Sequence, residues 1–377
     1  MTGDLPAVLA RGGTSRGLIF RDTDLAGLSE AERELLFARA VGSPDPGGRQ
    51  VDGVGGGTAT TSKVAVVGRP HRDDADVRYD FYQIDVTTGR AELRGTCGNL
   101  TAAVAQFAVD EGLIPVVDGV TEVRMHNTNI DRIVVARVPV ADGRAARTGD
   151  HALAGVPGTG APVDVRFRSP AGGVLGDLFP LGASLSTFDV DGRPVDLTVV
   201  DVVNPLVLID ASGLGTPADI TPAALEADSS AMARLESLRA RVAAEVRLAT
   251  SAESARTDSP TVPFVGICGP AAPYRTLGGE EVASADVSLL VRMLSTGSAH
   301  RALPLGAGLA AAAAARLPGT VAARAVGERP AGQTVRLGHP SGILEVTVRT
   351  SEHEPPTVDE VGVVLTARRI MTGWLCR

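Results

Sequence analysis

Residues 95–113 read GTCGNLTAAVAQFAVDEGL, and residues 295–316 read STGSAHRALPLGAGLAAAAAAR. Each stretch carries a turn of small and polar residues into a helix that is apolar nearly all round. A helix without a polar face is expected to be buried on every side. In both halves of the chain the segment follows a strand and precedes further strands. The pattern predicts an α+β protein of two similar halves, each a sheet wrapped around one central helix. The functional site is then expected between the halves, where both helix N-termini point.

Working outward, residues 5–10 and 17–21 read as strands around a Gly-rich turn. Residues 30–41 read as a helix, with Ser29 and Glu32 at capping-box spacing. Strands are predicted near 63–67, 77–86, 120–126, 131–140 and 163–167. Residues 183–194 are expected to cross between halves, giving domains 1–184 and 185–377, with the last strand free to return to the first. Strands through 195–210 open the second half. Thr221 and Pro222 start a helix expected to run to about 249, with Pro at the first helical position. Its Glu226, Arg234, Arg239 and Glu245 are expected to face outward. Strands near 261–267, 285–293, 334–337, 343–350 and 360–371 finish the chain.

Composition narrows the function. The 377 residues are 44% hydrophobic and 21% charged, with a net charge of −8. An acidic chain without basic runs is a poor nucleic-acid binder. No stretch reaches the ~18 apolar residues of a membrane span. The N-terminal MTGDLPAVLARGG has no basic start followed by an apolar block, so no signal peptide is expected. Three cysteines make no disulfide framework, and the cytoplasm is the expected compartment. The 36 basic residues comprise 35 Arg and a single Lys, Lys63. Only an ammonium readily loses its proton near neutral pH, so a lysine kept amid arginines is a candidate proton carrier.

Cys97 lies in Thr96-Cys97-Gly98-Asn99, where a strand turns into a helix. Such an end presents unpaired N–H groups and a positive dipole, which favour a thiolate and bind carboxylates. Cys97 is a candidate acid, base or nucleophile; a small buried Cys beside a turn is the ordinary alternative. The loop GGGTATTSK (55–63) ends in Ser62 and Lys63 but runs into a strand, whereas a nucleotide-binding P-loop runs into a helix, so nucleotide binding is rejected. The loop RGGTSRG (11–17) gathers two Arg, two hydroxyls and backbone N–H groups, a set suited to a carboxylate. His300 and Arg301 precede or open the second apolar helix, and Ser341 lies in the turn HPSG (339–342). Cys268 reads as core and Cys376 as inert. No CxxC, HExxH or His/Asp cluster supports a metal, and no nucleophile elbow supports a serine triad.

Together these segments resemble the PrpF-like isomerases, the family of 2-methylaconitate cis–trans isomerase, 3-methylitaconate Δ-isomerase and 4-oxalomesaconate tautomerase. The resemblance rests on the order of RGGTSRGLIF (11–20), GGGTATTSKVAVV (55–67), GTCGNLTAAVAQFAVDEGL (95–113), GAPVDVRFRSPAG (160–172), LFPLG (178–182), DVVNPLVLI (201–209), STGSAHRAL (295–303), LGHPSGILEV (337–346) and ARRIMTGWL (367–375). It implies the diaminopimelate-epimerase-like fold of two pseudo-symmetric domains, each a curled mixed sheet around a central helix. It also implies cofactor-independent proton transfer next to a conjugated carboxylate, in the cleft between domains. Lys63 and Cys97 fall on the family's proton-transfer positions. Arg11, Gly12, Gly13, Thr14 and Ser15 fall on its carboxylate loop. Ser62, Gly98, Asn99, His300, Arg301 and Ser341 are the further candidate substrate-binding residues. Two positions depart from the family pattern: Arg16 stands where Lys is common, and Phe264 stands where many members carry a cation.

The expected activity is isomerisation of an unsaturated di- or tricarboxylic acid without metal or cofactor. The alternatives are a tautomerase or double-bond isomerase of a specialised metabolite, and a non-catalytic acid-binding homologue. A two-cysteine epimerase is disfavoured because no Cys stands near Gly297 and Ser298. The expected partner is a small carboxylate, with neither nucleic acid nor membrane. A homodimer is compatible with exposed sheet edges.

Overall fold

The computed structural model describes residues 4–327, 332–351 and 356–376. The first three positions of the N-terminal stretch read for a signal peptide lie outside them. By contact the chain forms two compact units, residues 1–166 with 364–377, and residues 167–363.

The first unit is a closed ring of strands. Leu5–Gly12 pairs with Ser15–Arg21, which pairs in parallel with Lys63–Gly68. Lys63–Gly68 pairs antiparallel with Val77–Ile84, which pairs in parallel with Gly119–Asn127. Arg132–Ala141, Pro162–Arg168 and Val358–Leu375 continue the ring, and Val358–Leu375 returns to Leu5–Gly12. Inside lies the helix Gly98–Asp110, in which every residue through Val109 is buried. That burial is what its uniformly apolar sequence demands. The capped helix Glu30–Val41 covers the outside of the ring, stacking Phe37 on Phe20 at 5.5 Å and against Tyr82 at 4.9 Å. Strand Lys63–Gly68 is therefore covered on both faces, and all six of its residues are buried.

The second unit repeats this order. The hairpin Arg193–Val202 and Asn204–Asp210 is joined in parallel by Phe264–Pro270, then antiparallel by Leu289–Ser295. Thr334–His339 follows in parallel, then Gly342–Thr350 antiparallel. The helix Leu305–Arg316, buried through Ala315, lies inside, and helices Pro222–Ala227 and Ser229–Glu245 cover the outer face. Parallel pairings fall at the same points in both units, so the repeat is one of topology and not only of composition.

Several local expectations change. Residues 183–194, expected to cross between halves, belong to a hairpin inside the second unit, Ser186–Val190 with Arg193–Val202. The chain passes between units at Arg166 and Phe167 and again at Val363 and Val364. The single helix expected over 221–249 is two. Asp228 leaves the helical region at φ −86°, ψ 84°, and its carboxylate accepts from Ala231 N at 2.9 Å, capping a new helix. Arg239 is buried, not outward; it is held by Glu236 and donates to Ser259 O at 2.9 Å. The second apolar helix starts at Leu305 with Pro304 at its N-cap, so His300 and Arg301 precede it. Among the described residues no helix is long and apolar enough to cross a membrane.

Candidate active site

Lys63 opens its strand directly opposite Gly17 on one side and Gln83 on the other. A Cβ at Gly17 would stand 2.6 Å from Lys63 O, so only glycine lets the strands approach here. Lys63 is buried, 8% exposed. Its Nζ donates to Gln83 Oε1 and lies 5.2 Å from the centroid of the Phe81 ring, with the Cys97 thiol as its titratable neighbour. Burial holds the amine below its ordinary pKa, and the neighbouring Cys97 opposes that shift without overcoming it. An amine in this position sheds its proton more readily than one in water.

Cys97 is the N-cap of Gly98–Asp110, with its side chain free of capping duty. The thiol donates to Ser15 Oγ at 3.6 Å. The first N–H groups of the helix have no partner within it and point toward this end. Behind Cys97 lies a buried polar chain. Asn127 Nδ2 donates to Tyr79 Oη at 2.6 Å and to Thr96 Oγ1 at 2.5 Å. Tyr79 Oη and Thr101 Oγ1 are 3.0 Å apart, and Thr101 Oγ1 donates to Cys97 O at 3.2 Å. Burial pushes the Tyr79 hydroxyl up to about 12, so it remains protonated at ordinary pH. The chain fixes the backbone of residues 96 and 97 from the inside of the ring.

The hairpin turn meets the helix through Asn99. Asn99 Nδ2 donates to Thr14 Oγ1 at 3.0 Å, and its Oδ1 accepts from Thr14 N at 3.3 Å. Gly13 sits at φ +51°, and a Cβ there would stand 2.0 Å from Asn99 Oδ1. Arg11 Nη1 donates to Gly13 O and to Thr366 O, both at 2.9 Å, bracing the turn from the last strand. The loop before Lys63 is organised by buried Gln50. Gln50 Oε1 accepts from Gly56 N at 3.0 Å, Gly57 N at 2.9 Å and Ser62 Oγ at 2.8 Å. Arg16 closes the same loop, donating to Val54 O at 3.1 Å and Gly55 O at 3.3 Å.

Lys63, Cys97, Ser15, Gly12, Gly13, Thr14, Gly98 and Asn99 thus converge on one helix N-terminus. Arg11 and Ser62 lie in the same unit, but their polar ends serve backbone and loop. His300, Arg301 and Ser341 gather in the second unit. There Ser341 Oγ donates to Arg301 O at 2.6 Å, Ser341 N donates to His339 Nδ1 at 3.2 Å, and His300 Nδ1 accepts from Ala302 N at 3.0 Å. Cys268 is buried, with its thiol pushed up by desolvation, and Cys376 is exposed. Among the described residues no group of three His, Cys, Asp or Glu could hold a metal.

Sequence reading missed Gln83, Tyr79, Asn127 and Gln50. Their signal was weak but present. Gln83 and Tyr79 alternate with Val77 and Phe81 on the strand VRYDFYQI (77–84), and Asn127 ends the next strand, so each is a polar group placed where burial demands a partner.

Comparison with known proteins bears on the family and the fold. The family model described as PrpF protein matches residues 3–376. The 2-methyl-aconitate isomerase of Shewanella oneidensis is 36% identical, over 98% of this chain and 96% of that protein. The crystal structure of methylitaconate-delta-isomerase matches with a TM-score of 0.83 and 32% identity, over 99% of this chain and 95% of that one. A hydroxyproline epimerase from Agrobacterium vitis shares the epimerase-like fold alone, with a TM-score of 0.55 and 12% identity over 99% of this chain and 93% of that one. With family, fold and relatives in agreement over nearly its whole length, the chain belongs to the PrpF family and is an isomerase.

Proposed function

We propose that the protein isomerises an unsaturated di- or tricarboxylic acid of the 2-methylaconitate or aconitate type, without a cofactor. The observation that carries this is a buried lysine, held by Gln83, in the same interior as buried Cys97 at the start of a buried helix. Lys63 is the base. As the allylic C–H bond breaks, its proton bonds to Nζ and the electron pair delocalises into the adjacent carboxylate as a dienolate. Backbone N–H groups at the helix N-terminus stabilise that charge. Cys97 then gives its S–H proton to another carbon, or to the same carbon after bond rotation. The ammonium of Lys63 returns a proton to the neighbouring thiolate, and both groups are restored.

Proton NMR in D2O with 2-methylaconitate and trans-aconitate tests the reading. Isomerisation with deuterium uptake is expected, and Lys63→Ala, Cys97→Ala and Lys63→Arg are each expected to lose at least 10²-fold in rate. The arginine variant keeps the charge but cannot release its proton. Absence of exchange with folded parent protein overturns the aconitate-type reading. One observation favours a specialised, less charged substrate instead. Phe264 opens Phe264–Pro270 at the place in the second unit where Lys63 opens its strand in the first, so an apolar ring occupies the repeat of the lysine position. Faster turnover of an unsaturated acid with fewer carboxylates would select that reading.

A further inference from the structure

The buried amine of Lys63 is met by an amide and not by a carboxylate. Gln83 stands opposite Lys63 on Val77–Ile84, and its Oε1 accepts from Nζ. The other end of the amide is committed. Gln83 Nε2 donates to Ala59 O and Ser62 O, both at 3.0 Å. Carbonyls only accept, so these two fix the amide with its oxygen toward the amine. They also belong to the loop that delivers Lys63, so one side chain ties loop, strand and amine together. A glutamate has the same length and could accept from Nζ. It would, however, set a second oxygen against two carbonyls, and its charge would hold the ammonium.

Among the described residues the surroundings bring no carboxylate to the amine. On the neighbouring strand the residue opposite Lys63 is Gly17, and the nearby Arg16 guanidinium is turned to Val54 O and Gly55 O. The Phe81 ring lies on the Gln83 strand, and Cys97 approaches from the helix. Glu92 stands opposite Gln83 on Ala91–Glu92, one strand further out, where its Oε1 accepts from Arg94 N at 2.9 Å.

We propose that Gln83 is a positioning residue for Lys63, holding Nζ at Cys97 through an uncharged acceptor and so leaving the amine able to give up its proton. The proposal rests on Lys63 acting as the base of the reaction above.

The chain's single lysine makes the test direct. Protein labelled with ε-13C lysine carries one such side-chain signal, and its chemical shift follows the titration of Lys63. Gln83→Glu is expected to raise the midpoint by about one to three pH units. The acid limb of kcat/KM, where Lys63 becomes protonated, is expected to move to higher pH with it. Gln83→Met fills similar volume without an acceptor. It is expected to lower the midpoint and to reduce kcat more than it changes KM. An unchanged midpoint in either folded variant overturns the proposal. If Gln83→Glu does not fold, Gln83→Met alone decides. A midpoint that moves while the acid limb stays in place upholds the role of Gln83 and overturns Lys63 as the base.

Discussion

Lys63 and Cys97 do little alone; their chemistry is set by what touches them. Burial lowers the lysine's hold on its proton, and the Asn127, Tyr79, Thr96 and Thr101 chain holds Cys97 at the helix start. Tyr79→Phe keeps the ring's volume but removes a hydroxyl buried among three polar partners. It is expected to cost about 1–3 kcal/mol, because Asn127 and Thr101 lose a partner that water cannot replace. Slight displacement of residues 96 and 97 is expected to lower kcat about tenfold or more with KM little changed. Urea denaturation and steady-state kinetics on one preparation check both. Unchanged kcat in a destabilised protein would make the chain purely structural. At the same scale, Arg16 explains itself: its guanidinium ties two carbonyls of the loop before Lys63.

Each unit joins its hairpin to its central helix through one asparagine, supplied from opposite sides. In the first unit the helix gives Asn99 and the turn gives Gly13; in the second the strand gives Asn204 and the helix gives Gly306. A Cβ at Gly306 would stand 2.0 Å from Asn204 Nδ2. Gly306→Ala is therefore expected to destabilise the protein by about 1–3 kcal/mol through overpacking. Adding Asn204→Ala removes the obstacle, so the double variant is expected to be at least 0.5 kcal/mol more stable than the two single losses summed. A double-mutant cycle by denaturant unfolding reads the coupling, and strict additivity would refute the contact. The sequence motifs containing Asn99 and Asn204 thus do the same mechanical work by different routes.

For the molecule as a whole, acid sensitivity follows from His339. This histidine is 3% exposed and lies near the buried Arg292, whose guanidinium is held by Ile220 O, Val291 O and Gly338 O. Burial first, then Arg292 and His300, lower its pKa to about 3. The folded value lies below the unfolded value near 6.5, so the neutral form is favoured by folding. That stability is present above pH 6.5 and is lost as pH falls from there toward 3. His339→Asn keeps a neutral acceptor in place of Nδ1 without the titration. Unfolding midpoints at pH 7 and pH 4.5 are expected to differ less in the variant than in the parent. An equal difference would remove His339 from the acid response.

The sequence by itself determined the two buried helices, because a segment apolar on every side can only be an interior one. It also determined the strand-turn-helix placing of Cys97 and the singular Lys63, and through motif order it indicated the family. It could not determine where strand partners lie across the chain. The return of Val358–Leu375 to Leu5–Gly12 closes the first ring by contacts between residues more than 350 positions apart, and local pattern holds no record of them. Nor could it break the 221–249 helix, because Asp228 is a tolerable helix residue until its carboxylate finds Ala231 N. Gln83 stayed silent for the same reason. Its importance comes from standing opposite Lys63, and register between strands is decided by tertiary packing, not by either strand's own residues.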